Sequence, residues 1–262
     1  MIDIDNIENL FTIADCHNFM NDQMTLVKCV SFDNTVKGFL YEYEGDYIMT
    51  FTPYDYKGLY SFVKTGIKLL WKQDMVKVDH GRMNRFFHDY SLMFYKEFEP
   101  YFKDINYKKL YITGISMGGA MGQCFYYNLR NHLRNRKTII YAFGSPRIGD
   151  QELNDWFMSD RELEIKNIVL FKFYGSGKKA DPVCTFPNQQ DYVFNPNFYM
   201  LYEHQMFGNG TSYIKTNPTF KIRDLFYGSE TCELWENIHN IGEYAKHLKP
   251  KKLRKTPLKK KI

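Results

Sequence analysis

Apolar and polar residues change their spacing part-way along the chain, and the change separates two kinds of structure. Between Thr25 and Phe51 the apolar residues fall in short β-branched and aromatic stretches, with Asp33-Asn34 and Glu44-Gly45-Asp46 between them. This predicts strands from Thr25 to Ser31, Val36 to Tyr43 and Tyr47 to Phe51, the antiparallel start of a sheet. From His80 to Phe98 the spacing lengthens to three and four, with Met83, Phe86, Phe87, Tyr90, Met93 and Phe94 on one side, which predicts a helix. Three later runs are apolar throughout: Leu110 to Thr113, Thr138 to Phe143 and Asn167 to Tyr174. Continuous runs of that length suit parallel strands buried on both faces. Helices are expected from Gly119 to about Asn135, from Asp150 to Met158, and at the end near Leu248. Two more, over 5–24 and 59–71, lie earlier in the chain. The second is aromatic on one side and basic on the other, as a core helix or a mobile lid would be. Tyr192 to Tyr202 reads as a hairpin or an irregular aromatic segment. Strands alternating with helices from residue 80 onward predict an α/β fold: a mostly parallel central sheet, helices on both faces, and an antiparallel N-terminal portion.

Composition fits one such body. The chain has 262 residues, 44% of them hydrophobic and 18% aromatic, enough for one sizeable core. No linker-like stretch divides it, so residues 1–248 are expected to form one domain and 249–262 a tail. The formal charge of +5 is concentrated at the end. Lys246 to Ile262 holds nine positive charges and no acid, and removing them from the total leaves −4 for the body. The tail is therefore expected to be solvated or to touch an anionic membrane surface peripherally. With the charge confined there, nucleic acid is not an expected partner. The N-terminus lacks the basic start and apolar core of a secretory signal, and no apolar run approaches a membrane span. Five scattered cysteines form no CxxC pair. A soluble, cytoplasmic protein with reduced thiols is the expectation.

The chemistry concentrates at Gly114-Ile115-Ser116-Met117-Gly118, followed by Gly119 and Ala120. An apolar strand runs into it and a helix runs out. A sharp strand-to-helix turn lifts a serine oxygen clear of the sheet, beside the amides that begin the helix. The glycines leave no side chain where the backbone doubles back. Such a serine needs an acid and a histidine, delivered in that chain order by loops at the carboxyl ends of later strands. His17, His80 and His88 precede Ser116, and His132 rides on its own helix, so His204, His239 and His247 remain. His204 sits among aromatics and His247 in the basic end. His239, at the start of the last helix, is the better candidate, with His204 its competitor. Asp181 follows the strand from Asn167 to Tyr174, and Pro182 keeps the chain extended beyond it. Asp150 is expected to cap a helix, and Asp191 lies in the aromatic segment. Asp181 is the favoured acid.

Four blocks in order carry a resemblance: Gly114 to Ala120, then Phe143-Gly144-Ser145-Pro146-Arg147-Ile148-Gly149, then Asp181-Pro182-Val183 with Phe186-Pro187, then His239 ahead of Tyr244. Together they resemble the class 3, or fungal-type, triacylglycerol lipase family over roughly residues 45 to 248. The resemblance implies an α/β-hydrolase fold and hydrolysis of carboxylic esters, acylglycerols or other lipid esters, without metal or organic cofactor. It implies the triad positions for Ser116, Asp181 and His239, and a lid helix over 56–71. It also implies an oxyanion hole built from the amides of Met117 and Tyr54. Two departures stand out. Ile115 replaces the histidine usual before the serine. Phe51-Thr52-Pro53-Tyr54 stands where the family has Phe-Arg-Gly and a serine or threonine, so the short hydroxyl is missing. That change keeps open a weak or inactive hydrolase fold serving as a lipid-binding or interaction protein. An acyltransferase on the same triad is a further alternative.

Overall fold

A computed structural model describes residues 24–32, 36–53, 74–103, 107–133, 136–174, 177–185, 187, 191–193, 198–202, 205–207 and 244. The expected helices over 5–24 and 59–71, the final helix as a whole, and His17, His204, His239, His247 and Tyr54 lie outside the described residues.

The N-terminal strands form as their spacing predicts. β1 (Thr25–Phe32), β2 (Val36–Tyr43) and β3 (Asp46–Pro53) pair in antiparallel sequence. A short hairpin of β4 (Met75–Lys77) and β5 (Arg82–Asn84) then leads into α1 (Arg85–Lys103). The helix therefore starts five residues later than its apolar spacing suggests. Asn84 closes the hairpin and caps α1, its Oδ1 accepting from the amides of Phe86 and Phe87 at 3.0 and 3.4 Å. Beyond it the chain alternates: β6 (Leu110–Ile115), α2 (Met117–Leu129) with a short 3₁₀ turn over Arg130–His132, β7 (Thr138–Phe143), α3 (Gln151–Ser159) and β8 (Leu163–Tyr174). α3 begins at an N-cap Asp150 whose carboxylate accepts from the Leu153 amide at 3.1 Å, as expected of that residue.

β8 starts at Leu163, four residues before the apolar run, because Leu163 to Ile168 pairs along the whole of β7. Glu164 and Lys166 stand in that early part and bridge to each other at 3.0 Å, so the sequence there reads as polar. The polar segment after β8 returns as β9 (Gly177–Ala180), antiparallel on β8 with Ala180 opposite Phe171. The aromatic segment resolves into β10 (Phe198–Tyr202), parallel to β8, and β11 (Gln205–Phe207), which turns back on β10.

The spatial order is β1-β2-β3-β6-β7-β8-β10-β11. The five strands from β3 to β10 are parallel, with antiparallel hairpins flanking them. The described helices stack on the face formed by Met49, Phe51, Ile112 and Ile140. Phe51 packs its ring against Phe94 of α1 and Phe125 of α2, each with centroids 5.2 Å apart, and all three are fully buried. Burying a side chain of that size contributes about 1.5–3 kcal/mol, so this junction fixes both helices to β3. Across the sheet, Tyr111, Thr113 and Tyr141 point the other way and are buried as well. Among the described residues, no helix is long and apolar enough to cross a membrane.

Candidate active site

Ser116 sits between β6 and α2 with φ 57° and ψ −128°. Those are the dihedrals of the first central position of a type II′ turn, where glycine is the favoured residue. A residue with a Cβ held there stores about 1–3 kcal/mol of strain. The surroundings over-determine it. Its amide donates to the Phe143 carbonyl at 2.8 Å, and its own carbonyl accepts from the Gly119 amide at 3.0 Å. The chain then turns so tightly that a Cβ on Gly118 would lie 2.1 Å from the Phe51 carbonyl oxygen. A Cβ on Gly114 would lie 2.4 Å from the Gly118 carbonyl carbon. The end of β3 is thus pressed against the serine turn. Ser116 makes no side-chain capping bond to the helix it precedes. Met117 is the first residue of that helix, where amides have no intrahelical acceptor and the helix dipole favours negative charge.

The acid is placed by register. Ile115 pairs with Phe143, and Phe143 with Ile168, so Ser116 continues level with Val169. Ala180 pairs with Phe171, so Asp181 continues level with Leu170. Serine and acid therefore emerge at nearly the same height, Ser116 after β6 and Asp181 after β9, which is paired with β8. Asp181 is fully buried. Its Oδ1 accepts from the Val183 amide at 2.9 Å, and its Oδ2 from the Tyr244 hydroxyl at 2.6 Å. Tyr244 is fully buried too. A buried carboxylate tolerates its charge only with such donors.

Rival groups are occupied elsewhere. Asp150 Oδ1 accepts from the amides of Arg82 and Leu153, and its Oδ2 from the Arg82 guanidinium, each at 3.1 Å. Asp191 is exposed and pairs with the same arginine at 3.3 Å. His80 stacks on Trp156, and His88 bonds Asp89. His132 bonds the Tyr95 hydroxyl and Glu99, beyond the far end of α2. The buried thiol of Cys184 is held well above its usual pKa by burial and then by the Asp181 carboxylate, so it is no competing nucleophile. Among the described residues, no cluster of histidine, cysteine and acidic groups is arranged to hold a metal ion.

Of the expected site residues, the structure brings together Ser116, Met117 and Asp181 at the carboxyl end of the sheet. His239 and Tyr54 lie outside the described residues, although β3 runs to Pro53, directly before Tyr54. Tyr244 is the contributor that sequence reasoning missed. In the sequence it reads as part of an apolar helix side, and a contact with a residue 63 positions away leaves no local signal.

Residues 56–191, just over half of the chain, match the family described as Lipase (class 3). The chain belongs to the class 3 lipase family. It is thereby a carboxylic ester hydrolase of the α/β-hydrolase superfamily. The matched span includes Ser116 and Asp181 but neither Tyr54 nor His239. Solved structures agree in fold. A mutant form of MDLA from Penicillium cyclopium superposes with a TM-score of 0.59 at 14% identity, over 85% of this chain and 82% of that one. A lipase from Rhizopus microsporus var. chinensis gives 0.55 at 15% identity, over 84% and 77%. The Lip2 lipase of Yarrowia lipolytica gives 0.54 at 12%, over 69% of this chain and 66% of that one. No curated protein matches the chain in sequence.

Proposed function

We propose that the chain hydrolyses acylglycerols or other lipid esters through Ser116, His239 and Asp181. His239 takes the serine proton as Ser116 Oγ attacks the ester carbonyl, and Asp181 orients the ring and stabilises the imidazolium. The amides of Met117 and Tyr54 receive the oxyanion. The alcohol leaves with the proton returned by His239, and water, activated by the same base, resolves the acyl-enzyme. The observation that carries this reading is the strained Ser116 at nearly the same height on the sheet as a buried Asp181. His239 precedes Tyr244, whose hydroxyl is on Asp181, by five residues, and that short separation supports its choice as the base. Family membership supports the substrate class. The basic end of the chain adds peripheral attraction to an anionic membrane surface.

The deciding experiment is labelling with a fluorophosphonate probe. Wild type is expected to label and Ser116→Ala not to. A wild type that shows no labelling dependent on Ser116 removes the hydrolase mechanism. It would leave the lipid-binding reading, which the Phe51-Thr52-Pro53-Tyr54 block favours.

A further inference from the structure

Helix α2 carries Ser116 and the Met117 amide at its amino end, so its position on the sheet decides where both point. Seven residues after the serine, Gln123 is buried, at 2% exposure. An aliphatic side chain would pack there without desolvating an amide. Instead the Gln123 side-chain amide donates to Ser145 Oγ at 3.1 Å and to Asn167 Oδ1 at 3.3 Å. It also donates to the Gly119 carbonyl of its own helix at 3.3 Å. Ser145 and Asn167 are each 3% exposed, and Ser145 Oγ passes the chain on to the Pro146 carbonyl at 3.0 Å. The bonds run from the first turns of α2 to the loop after β7, and to β8, whose hairpin delivers Asp181. Stability does not account for the arrangement. Asn167 Nδ2 is buried with no hydrogen-bond partner among the described residues, which is unfavourable. A polar network kept in spite of an orphaned donor marks a place where geometry outweighs stability.

We propose that Gln123 is a positioning residue that ties the helix following Ser116 to the loop after β7 and to the middle of β8. It thereby sets the distance and angle between Ser116, with its neighbouring oxyanion amide, and Asp181. It touches no substrate and acts through the backbone of the serine turn. The inference rests on the reading of Ser116 and Asp181 as catalytic partners.

Gln123→Met keeps the length and removes the amide. In fluorophosphonate labelling the amplitude counts folded molecules and the rate constant reads site geometry. The expected result is full amplitude with a rate constant about tenfold lower, since a displacement near 1 Å can cost about a hundredfold. On a water-soluble ester, kcat falls in parallel while KM stays unchanged. A purely structural role would lower amplitude and leave the rate of the remaining fraction untouched, and that result overturns the proposal. If Gln123→Met does not fold, Ser145→Ala decides, because it removes the nearest acceptor and only one atom. A labelling rate lowered about threefold supports the proposal, and an unchanged one overturns it. Wild type lacking Ser116-dependent labelling would instead remove the catalytic reading itself, so the two failures are distinct.

Discussion

Replacing Ser116 by glycine and by alanine separates the strain of the serine turn from everything else the residue does. Both variants delete the hydroxyl, so any contact through Oγ is lost equally. No capping bond to α2 is at stake in either. They differ in the Cβ, which alanine keeps at φ 57° and ψ −128° and glycine removes. Relief of that conformation contributes about 1–3 kcal/mol to the glycine variant. Against it, glycine frees the unfolded chain by about 0.4–1 kcal/mol. The net expectation is that Ser116→Gly is more stable than Ser116→Ala by about 0.5–2 kcal/mol. For a chain of this size each kcal/mol moves Tm by about 2–4 °C, so the two midpoints should differ by roughly 1–8 °C. Urea midpoints at constant m-value give the same comparison without heating. An alanine variant equal to or more stable than the glycine variant would refute the reasoning. It would mean that the turn relaxes once the hydroxyl is gone, and that Ser116 is not held there by its surroundings. The expected result shows instead that the surroundings hold Ser116 in a conformation that costs stability.

Four further substitutions test other residues. Tyr244→Phe removes the 2.6 Å bond to Asp181 and should lower unfolding stability by about 1.5–3 kcal/mol, with slower fluorophosphonate labelling; unchanged values in both assays would count against its role. Gly118→Ala forces a Cβ into the Phe51 carbonyl and should cost about 3 kcal/mol or more and abolish labelling, as a melt and a labelling gel would show. Burial, and then its bond to Asp160, raise the Tyr126 pKa in the fold, so the stability it contributes is present below its unfolded value near pH 10 and lost as pH rises above it. Urea midpoints should fall less steeply on the alkaline side for Tyr126→Phe than for wild type, and equal slopes would contradict this. Tyr54→Ser restores the short hydroxyl of the oxyanion block and should raise kcat on a soluble ester by about tenfold or more; no increase would show that the amide alone suffices.

The parts of the fold visible in the sequence are those where burial leaves no choice of residue. β2 and β7 match their apolar runs at both ends, because alternation with one buried face, or burial on both, dictates every position. Misplaced boundaries occur where pairing partners decide. Nothing local distinguishes Arg82–Asn84 as a strand until Met75–Lys77 lies beside it. The start of β8 is hidden by Glu164 and Lys166, which can be polar because they bridge to each other. Gly177–Ala180 reads as loop because Lys178 and Lys179 dominate it, yet its backbone completes a ladder on β8. Site residues divide along the same line. Ser116 is legible because its glycines are demanded by close backbone approach, whereas the Tyr244 and Gln123 contacts join side chains far apart in sequence.

That hairpin also explains why a lysine-rich return can separate a strand from the proposed acid, Asp181, without harm. An acid placed directly after Tyr174 would emerge several residues beyond the level of Ser116, since Phe143, the neighbour of Ile115, pairs with Ile168. By turning back along β8 to Phe171, β9 brings the chain down again before releasing Asp181. The height of the acid is then set by ladder hydrogen bonds and not by loop length. Its two oxygens are fixed from opposite directions, by the Val183 amide of its own turn and by the Tyr244 hydroxyl from near the end of the chain. Adding or deleting a single residue within the return would therefore shift Asp181 by about 3.3 Å and reverse the side to which it points.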